Sequence, residues 1–305
     1  MVPKKVRSVL GPRRDRLLHT FVGFLGRNRY HLIPNHFYQP VPDVAALKDE
    51  LWEKQSLMVG IDIRAKSQVE LLALFSERFA QEYNAFPKQE TASSSQYHLG
   101  NGYFESVDAD MLYCMIRQFK PQKIFEIGSG NSTYLAAQAV LANEKDDHYC
   151  HLRAYEPYPN EVLKAGFPGL ARLEVVKAED IPLADFAGLG KDDILFIDSS
   201  HALKMGGDVQ YEYLEILPRL QPGVIIHIHD IFMPAEYPRE WVVNMRRYWT
   251  EQYLLQAFLS FNEAFEVILA GGYLHINNPE ALRSAFASYD SATTSPSSFW
   301  MRKVR

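Results

Sequence analysis

A short apolar strand that runs directly into a glycine turn is the feature that most constrains the fold of this chain. Residues 123–127 are mostly apolar and predict a short buried strand. Gly128 and Gly130 follow at once, and the polar residues at 131–133 predict the cap of an Ala/Leu-rich helix. Glycines in such a turn let backbone N–H groups approach a ligand that a Cβ atom would push away. The order strand, turn, helix therefore indicates an α/β fold with a ligand at the carboxyl end of the strand.

The same unit recurs along the rest of the chain. Four further stretches predict strands with acidic residues at or just after their ends: 152–156, 172–180, 193–198 and 223–230. The clearest helix between them is predicted over residues 209–220. Strands that alternate with helices form a parallel sheet with right-handed crossovers, so the carboxyl ends of all five strands meet at one edge. A shared ligand cleft at that edge accounts for the repeated acids.

These acids predict the charge of the ligand. They are Glu126, Glu156, Glu179, Asp180 and Asp198. A dinucleotide site would need glycine at position 133, which holds threonine, and the chain has no Gly-x-x-x-x-Gly-Lys phosphate loop. Carboxylates suit a cationic ligand with ribose hydroxyls and no phosphate. S-Adenosylmethionine fits, because it carries a sulfonium, an amine, a ribose diol and an adenine amine.

As a set, the motifs of this chain resemble those of class I S-adenosylmethionine-dependent methyltransferases, and more narrowly a bacterial small-molecule methyltransferase-like subgroup, over about residues 95–305. The resemblance is carried by Glu-x-Gly-x-Gly at 126–130, Asn-Gly-Tyr-Phe at 101–104, Ile-Asp-Ser-Ser-His at 197–201, Gly-Gly-Asp-Val at 206–209 and His-Ile-His-Asp at 227–230. It implies a three-layer α/β/α Rossmann-like methyltransferase sheet with an N-terminal helical cap. It also implies a final strand pair at 265–269 and 299–303, the latter inserted antiparallel, and residues 273–276 are expected to extend the sheet edge.

The resemblance and the strand-end acids together suggest the cofactor contacts. Glu126, Gly128, Gly130 and Ser132 are expected on the methionine side, Glu156 on the ribose diol, Glu179 and Asp180 at the adenine, Asp198 at the fourth strand end, and Tyr103 as a lid. A divalent metal is a competing, less favoured assignment. Asp198, His229 and Asp230 stand where catechol-type relatives bind magnesium, but a histidine in the set suits a transition metal better.

Histidines near the same edge are the candidates for the chemistry. Methyl transfer is an in-line displacement, so the enzyme mainly positions donor and acceptor, and a hydroxyl acceptor also needs a base. His229 is predicted as that base or as an orienting group, with Asp230 fixing its tautomer and His201 as the substitute. Burial is expected to keep His229 neutral. His227 lies deeper on the same strand and is expected to be packed and hydrogen-bonded.

Composition narrows the function further. A chain of 305 residues with 47% apolar and 23% charged residues is typical of a soluble globular enzyme, and a net charge of −5 argues against a nucleic-acid partner. Two cysteines exclude a disulfide framework, and no apolar run approaches the roughly 18 residues of a membrane span. We expect a cytoplasmic enzyme of specialised metabolism that methylates oxygen or nitrogen of a small-molecule acceptor. Two alternatives stay open: cyclisation of S-adenosylmethionine itself, of the azetidine-2-carboxylate type with release of methylthioadenosine, and an inactive S-adenosylmethionine-binding scaffold.

Two further units are predicted before the sheet domain at 96–305. Residues 1–28 form a basic N-terminal arm, which we interpret as solvated or as a contact in a homodimer. Residues 29–95 form the helical cap, with a helix at 44–52 that Asp43 caps and a longer one at 67–83. The aromatic residues of this cap either line the acceptor pocket or pack it on the sheet domain.

Overall fold

The computed structural model describes residues 20–25, 27, 33 and 35–305, and the chain divides into two compact units, Met1–Lys48 and Asp49–Arg305. Most of the predicted basic arm therefore lies outside the described residues. In the first unit, residues 20–25 are helical and Val44–Ala46 form one 3₁₀ turn, capped by the Asp43 carboxylate. The prediction of one helix over residues 44–52 is wrong, because Leu47 is extended and ends the 3₁₀ turn.

The second unit is built on a seven-stranded mixed sheet. Its strands are β1 Lys123–Ile127, β2 His151–Tyr155, β3 Leu170–Glu174, β4 Ile194–Ile197, β5 Ile225–Ile228, β6 Phe265–Ala270 and β7 Phe299–Lys303. The strand order is β3-β2-β1-β4-β5-β7-β6. Strands β1 to β5 pair in parallel, and β7 lies antiparallel between β5 and β6. The predicted α/β fold and the inserted last strand are confirmed.

Helices cover both faces of this sheet. They are α1 Glu50–Glu53, α2 Ala65–Tyr83, α3 Asp108–Phe119, α4 Asn131–Glu144, α5 Glu161–Ala165, α6 Leu183–Phe186, α7 Asp208–Tyr211, α8 Arg239–Val243, α9 Glu251–Leu259, α10 Gly271–Asn277 and α11 Pro279–Ala285. Among the described residues no helix is long and apolar enough to cross a membrane.

Two predicted elements differ from the structure. The helix expected over 209–220 is three pieces: α7, a π-helical turn Glu212–Ile216 and a 3₁₀ turn Leu217–Arg219. Pro218 lacks the N–H that an α-helix needs and so prevents its continuation. The strand expected over 273–276 lies inside the helix α10, which begins at Gly271.

Alternating side chains of the strands feed two apolar cores, one on each face. In β1, Ile124 belongs to the core that α3 and α4 cover, whereas Phe125 and Ile127 point to the other. Helix α2 packs into the first of these cores through Leu72 and Phe75. This long helix of the predicted cap therefore shares a core with the sheet, and the division at residues 28 and 95 stays a prediction.

Candidate active site

The glycine turn after β1 is set by the close approach of two strand ends. Gly128 has φ +80°, and a Cβ atom there would lie 1.8 Å from the carbonyl oxygen of Asp198, which follows β4. Gly130 differs, since a Cβ atom at that position would meet nothing within 4 Å. Thr133 stands where a dinucleotide site needs glycine, and its hydroxyl accepts a hydrogen bond from the Gly130 N–H at 3.0 Å. The turn is thus tight at Gly128 and open at Gly130.

A cavity of about 370 Å³ lies at the carboxyl ends of β1, β2 and β4. Its lining includes Gly128, Glu156, Glu179 and Asp198, so four residues of the predicted cofactor set meet here. We call it the small cavity. The Glu156 carboxylate accepts hydrogen bonds from the N–H groups of Ser129 at 3.1 Å and Tyr158 at 2.8 Å, which fix its orientation.

Glu126 lies within β1 and does not line the small cavity. It is buried, and the Ser132 hydroxyl donates a hydrogen bond of 2.6 Å to one of its carboxylate oxygens. The other oxygen, Oε2, is buried without a hydrogen-bond partner, as is the Ser129 hydroxyl. Burial raises the pKa of Glu126 to about 8. Glu126 and Ser132 are therefore paired with each other in the structure.

Two residues of the predicted cofactor set lie elsewhere. Asp180 is exposed and does not line the small cavity, although its neighbour Glu179 does. Tyr103 is 84% exposed and lines a second, larger cavity. The side chain of Asn101 accepts hydrogen bonds from the N–H groups of Tyr103 and Phe104, so this motif builds a turn that directs Tyr103 outwards and buries Phe104.

The larger cavity has a volume of about 1090 Å³. We call it the large cavity. It combines aromatic, hydroxyl and acidic side chains, among them Phe86, Tyr103, Trp241, Ser288, Thr294, Glu105 and Asp108. His229 and Asp230, which follow β5, also line it. Its chemistry suits a molecule that is part apolar ring and part hydrogen-bonding groups.

A buried charged cluster connects the two cavities. Asp198 lines the small cavity, and its Oδ1 lies 3.1 Å from His201 Nε2 and 3.7 Å from His229 Nδ1. His201 Nε2 is also 3.5 Å from Asp230 Oδ2. His229 Nε2 in turn lies 3.5 Å from the carboxylate of Asp108, the first residue of α3. The structure thus brings together the three predicted catalytic residues with Asp198.

Both histidines of this cluster favour the charged form. Burial alone would lower the pKa of His229, but the carboxylates of Asp230, Asp198 and Asp108 raise it well above its usual range. Asp198 and Glu251 similarly outweigh burial and raise the pKa of His201 to about 10. Our expectation that burial keeps His229 neutral is therefore wrong. A protonated imidazole donates hydrogen bonds from both ring nitrogens and accepts none.

The same cluster offers ligands for a metal ion. Single atoms of Asp198, His201 and Asp230 lie within 4.8 Å of one another. The predicted metal set contained His229 in place of His201 and shared the two aspartates. One imidazole and two carboxylates suit a transition metal better than magnesium.

Two carboxylates of the site carry no recognisable sequence signal. Asp108 accepts hydrogen bonds from the N–H groups of Ser297 and Ser298 besides facing His229, and Glu251 contacts His201. Both are first-turn acids of helices, a position where exposed acids are common because they complement the helix dipole. His227 is packed as predicted, stacked on Phe196 and 3.0 Å from the Ser298 hydroxyl.

Comparison with known proteins agrees with this geometry. Residues 125–231 match a family model described as a methyltransferase domain. This range covers the glycine turn, all five acidic strand ends, and His201 and His229 of the charged cluster. The match confirms the resemblance that the strand-end motifs carry.

Individual relatives are more distant. An uncharacterised protein of Archaeoglobus fulgidus is 26% identical over 173 residues, which cover 53% of this chain and 75% of that protein. An O-methyltransferase from Bacillus cereus, solved in complex with SAH, is 13% identical with a TM-score of 0.37 and covers 79% of this chain and 91% of that one. The CMeT domain of the citrinin polyketide synthase is 10% identical with a TM-score of 0.43, over 96% and 79% of the two chains.

Proposed function

We propose that this chain is an S-adenosylmethionine-dependent methyltransferase that acts on oxygen or nitrogen of a small molecule, since residues 125–231 match a family model of a methyltransferase domain. The observation that carries the proposal is the pair of cavities joined by one charged cluster. Asp198 lines the small cavity, His229 and Asp230 line the large one, and His201 bonds to both aspartates. Donor and acceptor need such adjoining sites, because the methyl group passes directly between them.

The small cavity fits the donor. Its lining brings the carboxylates of Glu156, Glu179 and Asp198 together beside the glycine turn at Gly128. Glu156 would take the ribose hydroxyls, Glu179 the adenine amine, and Asp198 would face the cationic end. When bound, S-adenosylmethionine supplies an electrophilic methyl group.

The cluster supports a division of roles between its histidines and its acids. A charged His229 does not accept a proton, so we assign it to orientation of the acceptor. Asp230 lines the large cavity, and burial raises its pKa against the opposing effect of His229 and His201. A carboxylate of raised pKa is the better proton acceptor, and we assign to Asp230 the removal of the proton from the acceptor.

The size of the large cavity favours an external acceptor over cyclisation of the donor. A cyclase needs only a small closed chamber around one molecule, whereas about 1090 Å³ admits a second molecule of considerable size. Incubation with S-adenosylmethionine alone separates the two reactions. We expect no methylthioadenosine, and its release without an acceptor would point to the cyclase.

The reaction is tested with methyl-labelled S-adenosylmethionine and a panel of phenols, alcohols and amines. We expect label transfer to one class and a fall in turnover of about 10²-fold in His229→Ala, because the acceptor loses the group that orients it. Donor affinity, measured by calorimetry, should stay nearly unchanged. His148→Ala is the matched control, since His148 is exposed and lines neither cavity. Near wild-type turnover in His229→Ala would contradict the assigned role.

A further inference from the structure

The geometry points to Glu251 as a positioning residue that holds His201 in the orientation the charged cluster needs. Glu251 lines neither cavity and is completely buried at the first position of α9. Its Oε2 lies 2.9 Å from His201 Nδ1, on the side of the ring opposite to Asp198 and Asp230. The inference rests on the proposed function and names a residue that acts through His201.

The backbone of His201 needs such support. Its φ is +57°, a left-handed conformation that costs a residue with a Cβ atom about 1–2 kcal/mol. The N–H groups of Thr250 and Glu251 both donate to the His201 carbonyl oxygen, at 2.9 and 3.1 Å. The Leu203 N–H donates to the Thr250 hydroxyl at 2.8 Å. The start of α9 therefore fixes the loop that carries His201.

The ring of His201 is fixed by the same segment. Trp249 packs against it with ring centroids 4.4 Å apart, and the Glu251 carboxylate accepts from Nδ1. With Nδ1 engaged, Nε2 is left to face Asp198 at 3.1 Å and Asp230 at 3.5 Å. His201 thus bridges the acid of the small cavity and the acid of the large cavity, and Glu251 selects the ring orientation that makes the bridge.

The partners of the Glu251 carboxylate fit this positioning role. Within the described part of the chain, His201 is the cationic partner recorded for its carboxylate. Burial raises the pKa of Glu251, and His201 and the Tyr213 hydroxyl oppose that rise. A buried acid directed at one imidazole is typical of a residue that orients that imidazole.

The chain offers a matched control in Glu212. It is also completely buried, but its carboxylate accepts from the Ser199 hydroxyl at 3.0 Å and does not contact His201. Glu251→Gln and Glu212→Gln each replace one buried carboxyl group by an amide. Only the first replaces the carboxylate that accepts the His201 Nδ1 hydrogen bond, and the amide oxygen in its place is a weaker, neutral acceptor.

The experiment combines imidazole NMR with kinetics. In protein labelled with ¹⁵N-histidine, the His201 signals, identified by their loss in His201→Asn, should show an Nδ1–H held in a hydrogen bond to a carboxylate. Glu251→Gln should lose that signature and lower kcat by about 10–100-fold, with the dissociation constant of S-adenosylmethionine unchanged within about twofold. Glu212→Gln should keep the signature. If Glu251→Gln does not fold, Glu251→Asp keeps the charge, withdraws it by one methylene, and should weaken both signature and kcat.

Several results would overturn the inference. Unchanged His201 signals in Glu251→Gln would mean that Glu251 does not hold the ring. An altered signature with wild-type kcat would mean that the orientation has no catalytic use, and an equal fall in kcat in Glu212→Gln would trace the effect to the loss of any buried carboxyl group. Wild-type protein that neither binds S-adenosylmethionine nor transfers methyl groups would refute the proposed function, while the NMR comparison would still decide whether Glu251 orients His201.

Discussion

At the scale of single residues, the two glycines after β1 have different tasks. Gly128 combines φ +80° with a Cβ position 1.8 Å from the Asp198 carbonyl oxygen. Gly128→Ala should therefore lower the free energy of unfolding by about 2–4 kcal/mol, because both the backbone and the β4 end must shift. Urea denaturation measures the change.

Gly130→Ala is the control for that substitution. Its Cβ atom would enter open space, so stability should change by no more than about 1 kcal/mol. If the donor occupies that space, calorimetry should nevertheless show weaker binding of S-adenosylmethionine. Equal loss of stability in the two alanine variants would contradict the distinction.

Glu126 predicts a pH dependence of stability. Its pKa is raised to about 8 in the folded protein, against 4.5 for an unperturbed glutamate. Its contribution to stability is therefore complete below pH 4.5 and is lost as the pH rises through 8. Relative to Glu126→Gln, the wild type should lose stability between about pH 5 and 8, with a slope of at most about 1.4 kcal/mol per pH unit.

Chemical denaturation at several pH values tests this difference. Shifts at His201 and His229 act in the wild type and in the variant alike, so they cancel in the comparison. Glu161→Gln, at an exposed residue outside both cavities, should run parallel to the wild type. A parallel curve for Glu126→Gln as well would remove Glu126 as the source.

Residue-level prediction succeeded where position along the chain fixes position in space. Glu156 and Asp198 directly follow the parallel strands β2 and β4, so they meet at one edge however the loops run, whereas Glu179 reaches that edge from the 3₁₀ turn Ala178–Asp180 beyond β3. Asp108 and Glu251 reach the cluster from helices far along the chain, and a first-turn acid of a helix looks the same whether it is solvated or buried. The protonation of His229 was missed for a related reason, since it depends on how many carboxylates surround the ring.

At the scale of elements, β7 is the strand that joins β6 to the rest of the sheet. It lies between β5 and β6, and its Trp300 is completely buried, with its ring 4.5 Å from that of His227. Trp300→Ala should lower the free energy of unfolding by about 3–5 kcal/mol, because it leaves a cavity at the centre of the strand. Val304→Ala, just beyond the strand and 38% exposed, should stay within about 0.5 kcal/mol of wild type in the same urea titration.

The antiparallel insertion of β7 came from the resemblance of the motifs, because a short apolar strand has no pattern that specifies its neighbours. The sequence indicates only part of the break in the helix that was predicted over residues 209–220. Pro218 marks the end of regular helix, whereas the π-helical turn that begins at Glu212 has no periodic signature. Most elements were therefore predictable from the sequence, whereas their internal irregularity and the helical state of residues 273–276 were not.

At the scale of the whole molecule, the two cavities predict separable effects on donor and acceptor. Glu156→Ala removes a carboxylate from the small cavity and should weaken S-adenosylmethionine binding by about 1.5–3 kcal/mol, the range for hydrogen bonds to a charged group. The KM of the acceptor should change little. Asp180→Ala is the matched control, because this acid is exposed beside the small cavity without lining it.

Trp241→Ala should have the reverse effect. Trp241 lines the large cavity, with its ring 5.3 Å from that of Phe232, so its loss removes apolar area from the acceptor side alone. We expect the KM of the acceptor to rise by about tenfold and the dissociation constant of S-adenosylmethionine to stay at its wild-type value. Thermal unfolding of each variant separates binding from stability. If both variants weaken the donor equally, the cavities do not serve two different molecules, and the division into donor and acceptor sites is wrong.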